Sequence, residues 1–277
     1  MELKDKTVLI TGSTDGVGRV VAEWLGAGGA HVLVHGRDAT RGKATVAAIE
    51  TAGGKAELLV ADISSLAEVR RLATAVRAKT SRLDILINNA GIGTAGTKRQ
   101  VSADGYELRF AVNYLAGFLL TSELLPLLEA SAPARILNVA SAGQQAIDFD
   151  DVMLTHGYSG VRAYCQSKLA QILFTIDLAQ QLKGTGVTVN ALHPASYMNT
   201  TMVRQAGVTP WSSVETGAEA ILNLAVSPDL EGRTGLYFDG LRESRADAQA
   251  YDETARQQLR KLSLDLIESL TPKEQHP

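Results

Sequence analysis

The tightest constraint on the fold lies in the first 25 residues. Thr7-Val8-Leu9-Ile10 is a β-rich run, Thr11-Gly12-Ser13-Thr14-Asp15-Gly16-Val17-Gly18 follows at once, and an apolar helical stretch covers 20–25. A strand that enters a helix through a glycine turn is the first half of a crossover, and crossovers join parallel strands. Glycines at 12, 16 and 18 would let the turn close tightly, let backbone N–H groups approach a pyrophosphate, and let the helix pack close to the sheet. The spacing is G-x-x-x-G-x-G rather than G-x-G-x-x-G, and a glycine turn of this kind also serves geometry with no ligand.

The rest of the chain repeats the alternation. Further β-rich runs fall near 31–35, 57–61, 83–87, 135–140, 186–191 and 235–238, separated by helical patterns near 40–52, from about 64 or 65, 103–129, up to 182, 214–227 and 255–267. Strands alternating with helices predict an α/β protein: one Rossmann-like three-layer domain over 1–277, with a parallel sheet of about seven strands and helices on both faces. At 277 residues and 29.4 kDa, one such domain is of ordinary size. Only the tail from Thr271 reads as disordered.

Bulk properties narrow the partners. Twenty-seven basic residues against 30 acidic ones, a pI near 6.0 and no basic stripe leave no electrostatic footprint for nucleic acid. The single cysteine, Cys165, excludes an intrachain disulfide and a multi-cysteine metal site, and it suits a reducing compartment. No uninterrupted apolar run reaches about 18 residues, and 1–6 lead into the first strand without a signal-peptide pattern. The expectation is a cytoplasmic protein with no membrane partner and no bound metal.

In an open α/β sheet, ligands bind at the carboxyl ends of the strands. Arg37 stands there after the second strand and offers a guanidinium to a 2′-phosphate, whereas Asp38 facing the ribose would weaken or invert that preference. Asp62, after the third strand, could accept from an adenine amino group or cap the next helix. Asn88-Asn89-Ala90-Gly91 suits a tight backbone beside a cofactor, or a plain turn. Asn113 sits inside an apolar helical segment, where it needs a hydrogen bond or holds a water. Ser141 ends the fifth strand. Ala163-Tyr164-Cys165-Gln166-Ser167-Lys168-Leu169 puts Tyr164 and Lys168 one helical turn apart, so the ammonium can lie near the phenol and favour the phenolate. The loop 143–161 and a weakly periodic segment at 195–211, a lid in character, should shape the substrate pocket, and His193 reads as structural.

Taken together, these residues resemble the short-chain dehydrogenase/reductase family over essentially the whole chain. Thr11, Gly12, Gly16 and Gly18 match its glycine motif, 88–91 its N-N-A-G motif, and Asn113, Ser141, Tyr164 and Lys168 its active-site set. The flanks 112–118 and 163–169 look most like the retinol-dehydrogenase-like branch. The resemblance implies NADP(H)-dependent interconversion of a carbonyl and an alcohol, with NAD(H) less favoured and a small-molecule carbonyl or alcohol as substrate. Tyr164 would be the proton donor, Ser141 a second donor, Lys168 the ligand of the nicotinamide ribose, and Asn113 the anchor of a water. Cofactor contacts would come from Gly12, Ser13, Thr14, Gly16, Val17, Gly18, Arg37, Asp62, Ile63, Asn89, Ala90, Gly91, Tyr164, Lys168, Pro194, Asn199 and Thr200. Homodimers or homotetramers would form through the helices bearing Asn113 and Tyr164. Two positions depart from the pattern: Pro194-Ala195 replaces Pro-Gly, and Asn199 stands where a threonine is usual, with Thr200 and Thr201 behind it. A cofactor-binding regulator or scaffold without turnover, or an NADP-dependent epimerase, would share this fold.

Overall fold

The computed structural model describes residues 1–94, 96 and 98–269, so the tail from Thr271 lies outside the described residues. Eight strands form one sheet: β1 (Thr7–Ile10), β2 (His31–Gly36), β3 (Lys55–Val60), β4 (Ile85–Asn88), β5 (Ala134–Val139), β6 (Val187–His193), β7 (Tyr237–Asp239) and β8 (Arg242–Ser244). Their order is β3-β2-β1-β4-β5-β6-β7-β8. The seven expected strands are all present and parallel. The eighth is a three-residue strand that turns back antiparallel on β7, too short to carry a sequence signal. Strand order reverses between β1 and β4, where Ile10 pairs with Val34 on one side and with Ile87 on the other. Crossovers leave that point in opposite directions, and a crevice opens at its carboxyl end.

Successive side chains of a strand point to opposite faces, so β1 feeds two cores. Val8 and Ile10 join Val32, Val34, Ile85 and Ile87 under α1 (Gly16–Ala27), α2 (Ala39–Thr51) and α7 (Val214–Val226). Leu9 joins Leu33, Leu86 and Ile136 under α3 (Leu66–Lys79), α4 (Ala116–Ala130), α5 (Gly160–Gln181) and α8 (Glu253–Glu268). A short helix, α6 (Thr201–Gln205), lies in the segment read as a lid.

The segment expected as one helix over 103–129 is built differently. An irregular stretch gives way to a π-helical turn, Phe110–Leu115, which runs into α4. Asn113 lies in that turn, and π-helical turns concentrate at functional sites. The stretch Phe110–Ala130 is, by length and composition alone, long and apolar enough to cross a membrane, and 67% of its most apolar window is buried within the fold. Its apolarity thus has a use as a core helix.

Helix α5, one of the two helices named above as a dimer surface, is packed against α8 of the same chain. Every residue of α5 from 166 to 179 is buried. The cover is α8, which sends Leu259 and Ile267 into the core, hydrogen bonds Tyr114 Oη through Ser263 Oγ at 2.7 Å, and pairs Arg260 with Asp177 at 3.3 Å. The amphipathic pattern of 255–267 was visible in the sequence; the surface it covers was not.

Candidate active site

The glycine turn is locked to the loop after β4 by side chains of both. Thr11 Oγ1 accepts from the backbone N–H groups of Asn89 and Ala90, each at 3.0 Å, and Asn89 Nδ2 donates to the carbonyls of Thr11 (2.8 Å) and Gly12 (3.1 Å). The close approach explains the glycines. A Cβ at Gly18 would lie 2.3 Å from Asn89 Nδ2 and 2.5 Å from the Gly12 carbonyl oxygen, and Gly12 itself holds a φ of +66° against Ala90. Asp15 caps α1 by accepting from Gly16 N at 2.8 Å, so the first turn of that helix presents N–H groups to the crevice. Val17 packs on the core below, and Thr14 covers Gly36. Ser13 is turned inward: its hydroxyl donates to the Ile10 carbonyl (2.9 Å) and accepts from His35 N (3.0 Å), and its own N–H donates to the His35 carbonyl (2.9 Å).

His35 was not picked out by the sequence reading. Buried at the end of β2, it accepts the Gly12 N–H on Nδ1 at 3.2 Å, and its Nε2 lies 3.2 Å from the Ala61 carbonyl, which makes Nε2 the protonated nitrogen. Burial draws its pKa down to about 4, so a neutral imidazole ties the glycine loop to the strand end that precedes Asp62. A histidine closing an apolar strand looks like any core residue; only the fold brings Gly12 and Ala61 to its two nitrogens.

At the adenine end, Asp38 is occupied. It caps α2 by accepting from Thr40 N (2.9 Å) and Arg41 N (3.0 Å), and its second oxygen meets Arg41 Nε at 3.1 Å. Arg41 also reaches Asp15 at 3.2 Å. Arg37 is exposed and, among the described residues, has no hydrogen-bond or ion-pair partner. The carboxylate thus caps the start of a helix, while the guanidinium beside it stays unengaged among the described residues. Asp62 accepts from Ser64 N at 3.0 Å through one oxygen and leaves the other open, with Ile63 half-buried beside it. Asn88 points away from the crevice, into the sheet, where its Nδ2 donates to Thr121 Oγ1 and Asn138 Oδ1 at 2.9 Å each. It does not join the crevice as the sequence reading expected.

The candidate reacting groups come from three elements. Ser141, at the end of β5, has its Oγ oriented by the Gly143 N–H at 3.0 Å. Tyr164 is half-buried in the first turns of α5, a helix begun by the Ser159 cap. Burial raises the Tyr164 pKa and outweighs the hydrogen bond with Ser141 that lowers it. This corrects the expected phenolate bias: Lys168 Nζ lies 5.8 Å from the ring centroid and is not among the influences on the phenol. A phenol that keeps its proton at neutral pH suits a proton donor. Lys168 is 4% exposed, burial brings its pKa down to about 7, and a Cβ at Gly91 would stand 3.5 Å from its Nζ. The side chain of Asn113 is engaged at both ends: Oδ1 accepts from Ile92 N (2.8 Å), and Nδ2 donates to the Ile92 carbonyl (3.1 Å) and Ser167 Oγ (2.9 Å). These bonds tie the loop after β4 to α5.

Above the crevice, 195–211 runs across the loops it would cover. Thr200 Cγ2 would sit 3.3 Å from a Cβ at Gly16, and Met202 Cγ 2.6 Å from one at Gly93. Thr200 also caps α6, while the exposed Asn199 accepts from Arg204 at 2.6 Å. Of the candidates for the carboxamide contact, Thr200 therefore lies over the cradle and Asn199 faces outward. Pro194 is buried against Gly217, and His193 bonds Ser196 at 3.0 Å, a structural role as expected. Glu107, Arg109 and Tyr158 form a further polar cluster that sequence reading missed: Tyr158 Oη donates to Glu107 at 3.2 Å, and Arg109 Nε to the Gly93 carbonyl at 2.8 Å, joining the loops on the substrate side.

Comparison with known proteins agrees with this geometry. The family model described as short chain dehydrogenase matches residues 6–210. Retinol dehydrogenase 13 of Homo sapiens is 38% identical over 274 residues, spanning 92% of this chain and 82% of its own length. Among solved structures, an uncharacterized protein from Mycobacterium paratuberculosis superposes with a TM-score of 0.81 at 29% identity, over 96% of this chain and 95% of the other. RhlG of Pseudomonas aeruginosa, solved as an active-site complex with NADP, gives 0.70 at 30% identity over 86% of this chain and 95% of its own.

Proposed function

The chain belongs to the short-chain dehydrogenase family, and from that membership and the geometry of its crevice we propose that it interconverts a ketone or aldehyde and the corresponding alcohol with NADP(H). The observation that carries the reading is Tyr164. It is a phenol held in its protonated form, beside a serine whose hydroxyl a backbone N–H orients and one turn from a buried lysine.

The residues fit the cofactor. Gly12 and Gly18 leave a cradle that a Cβ would fill, α1 presents its N-terminus there, and Arg37 supplies an unpaired cation at the ribose end. When bound, NADPH supplies the hydride. For reduction, Tyr164 gives its proton to the oxygen that becomes the alcohol, and Ser141 Oγ steadies that oxygen as a second donor. Lys168 offers an N–H to the ribose hydroxyls beside Gly91, and Asn113 keeps that loop and the Tyr164 helix in register. With the Asn113 amide engaged, any water-holding task falls to the backbone of the π-helical turn.

Consumption of NADPH with a panel of aldehydes, ketones and quinones tests the reading, with retinal included because of what the relative's name states. Silence across the panel together with tight NADPH binding would overturn it in favour of a binder without turnover. NADP(H) is favoured over NAD(H) because Arg37 is free and Asp38 is not. Arg37→Ala should raise the Kd for NADPH about 10- to 100-fold, the worth of one or two charge-assisted bonds to a phosphate, and leave the Kd for NADH nearly unchanged. Equal changes for both cofactors would refute the role.

With the apolar helix buried in the core, the reading extends to the cytoplasm. Recovery of the expressed chain in the membrane pellet would count against it.

A further inference from the structure

An ammonium has three N–H donors, and two of those on Lys168 are committed within the protein. One goes to the Val139 carbonyl at 2.8 Å and one to Gln171 Oε1 at 2.9 Å. Gln171 follows three residues later on α5 and is 3% exposed, so its amide is as shut off from bulk water as the lysine. We propose, resting on the reading above, that Gln171 is a positioning residue of the proton-transfer site. Its amide oxygen and the Val139 carbonyl hold Lys168 in the charged form and leave its third N–H for the cofactor ribose beside Gly91.

The orientation of the Gln171 amide follows from what surrounds it. An ammonium needs an acceptor, so the oxygen faces Lys168. That leaves Nε2 for the other side, where Gln171 lines a cavity of about 10 Å³, room for a single water. Asn88 and Asn113 line the same cavity.

Charge on Lys168 is marginal. Burial is the one influence that moves its pKa, down to about 7, and among the described residues no carboxylate opposes it. The titratable groups that face it are Tyr164 on its own helix and His193 at the end of β6; Asp239 on β7 faces His193 in turn. Neutral carbonyl acceptors are therefore what the protein sets against desolvation, and Gln171 is the one that substitution can remove.

The test is an NMR titration of Lys168 in the full chain carrying ¹³C-labelled lysine, with and without NADPH, beside the pH profile of kcat. Gln171→Leu should shift the Lys168 titration down by about one unit or more, the loss of one bond to a charged group, and carry the alkaline fall in the reduction rate with it. Gln171→Glu should shift both upward, and it serves where the leucine variant folds poorly. A Lys168 titration that stays in place in either folded variant overturns the role of Gln171. Should the titration move while the wild-type protein turns over no carbonyl, the positioning role stands and the proposed reaction falls.

Discussion

Tyr164→Phe should lower carbonyl reduction by about 10²- to 10⁴-fold, the usual contribution of a positioned general acid, while the Kd for NADPH changes little. The substitution removes one oxygen and keeps the ring, so the packing that sets the start of α5 survives. The variant loses the proton for the nascent alkoxide and the partner of Ser141. Lys168 should stay in place, because the Val139 carbonyl and Gln171 hold it independently of the phenol. Fluorescence titration of NADPH and steady-state turnover on a substrate drawn from the panel separate the two quantities. Residual turnover above a tenth of wild type would remove Tyr164 from the role of acid. Ser141→Ala, for comparison, leaves the acid and takes only the second donor, so its loss should be the smaller.

How far the sequence reached depends on the kind of contact that carries each feature. Local signals were legible: the glycine turn after a β-rich run, the strand and helix alternation, and the spacing of Tyr164 and Lys168 are written within a few residues of one another. The seven parallel strands follow from such signals. What escaped rests on pairs that only the fold brings together. His35 ties Gly12 to Ala61; Gln171 meets Lys168 within one helix, but its acceptor role needs both to be buried; α8 ends on α5 some eighty residues earlier. Asn88 and Asn89 were read as one motif, yet strand alternation sends the first into the sheet and the next residue across to the glycine turn. The π-helical turn at Asn113 leaves the hydrophobic pattern intact and so shows no sign in the sequence.

Gly18→Ala, one added methyl group, should raise the Kd for NADPH about tenfold or more and lower the Tm. Neither backbone strain nor helix propensity is the cause, since Gly18 lies in a helix and alanine favours helices. The cause is space. The new methyl would stand 2.3 Å from Asn89 Nδ2 and 2.5 Å from the Gly12 carbonyl, and close packing leaves no room to absorb that without movement. The amide that must give way is the one that bonds the Thr11 and Gly12 carbonyls, so the glycine turn would loosen from the loop after β4. A double-mutant cycle with Asn89→Ala assigns the effect. Removing the Asn89 side chain clears the first clash and leaves the second, so Gly18→Ala should cost less in that background than in wild type, yet still cost something through the Gly12 carbonyl. Strict additivity would mean that Asn89 does not transmit the clash. An unchanged Kd in the single variant would mean that the cradle between Gly12 and Gly18 is not where the cofactor's pyrophosphate lies.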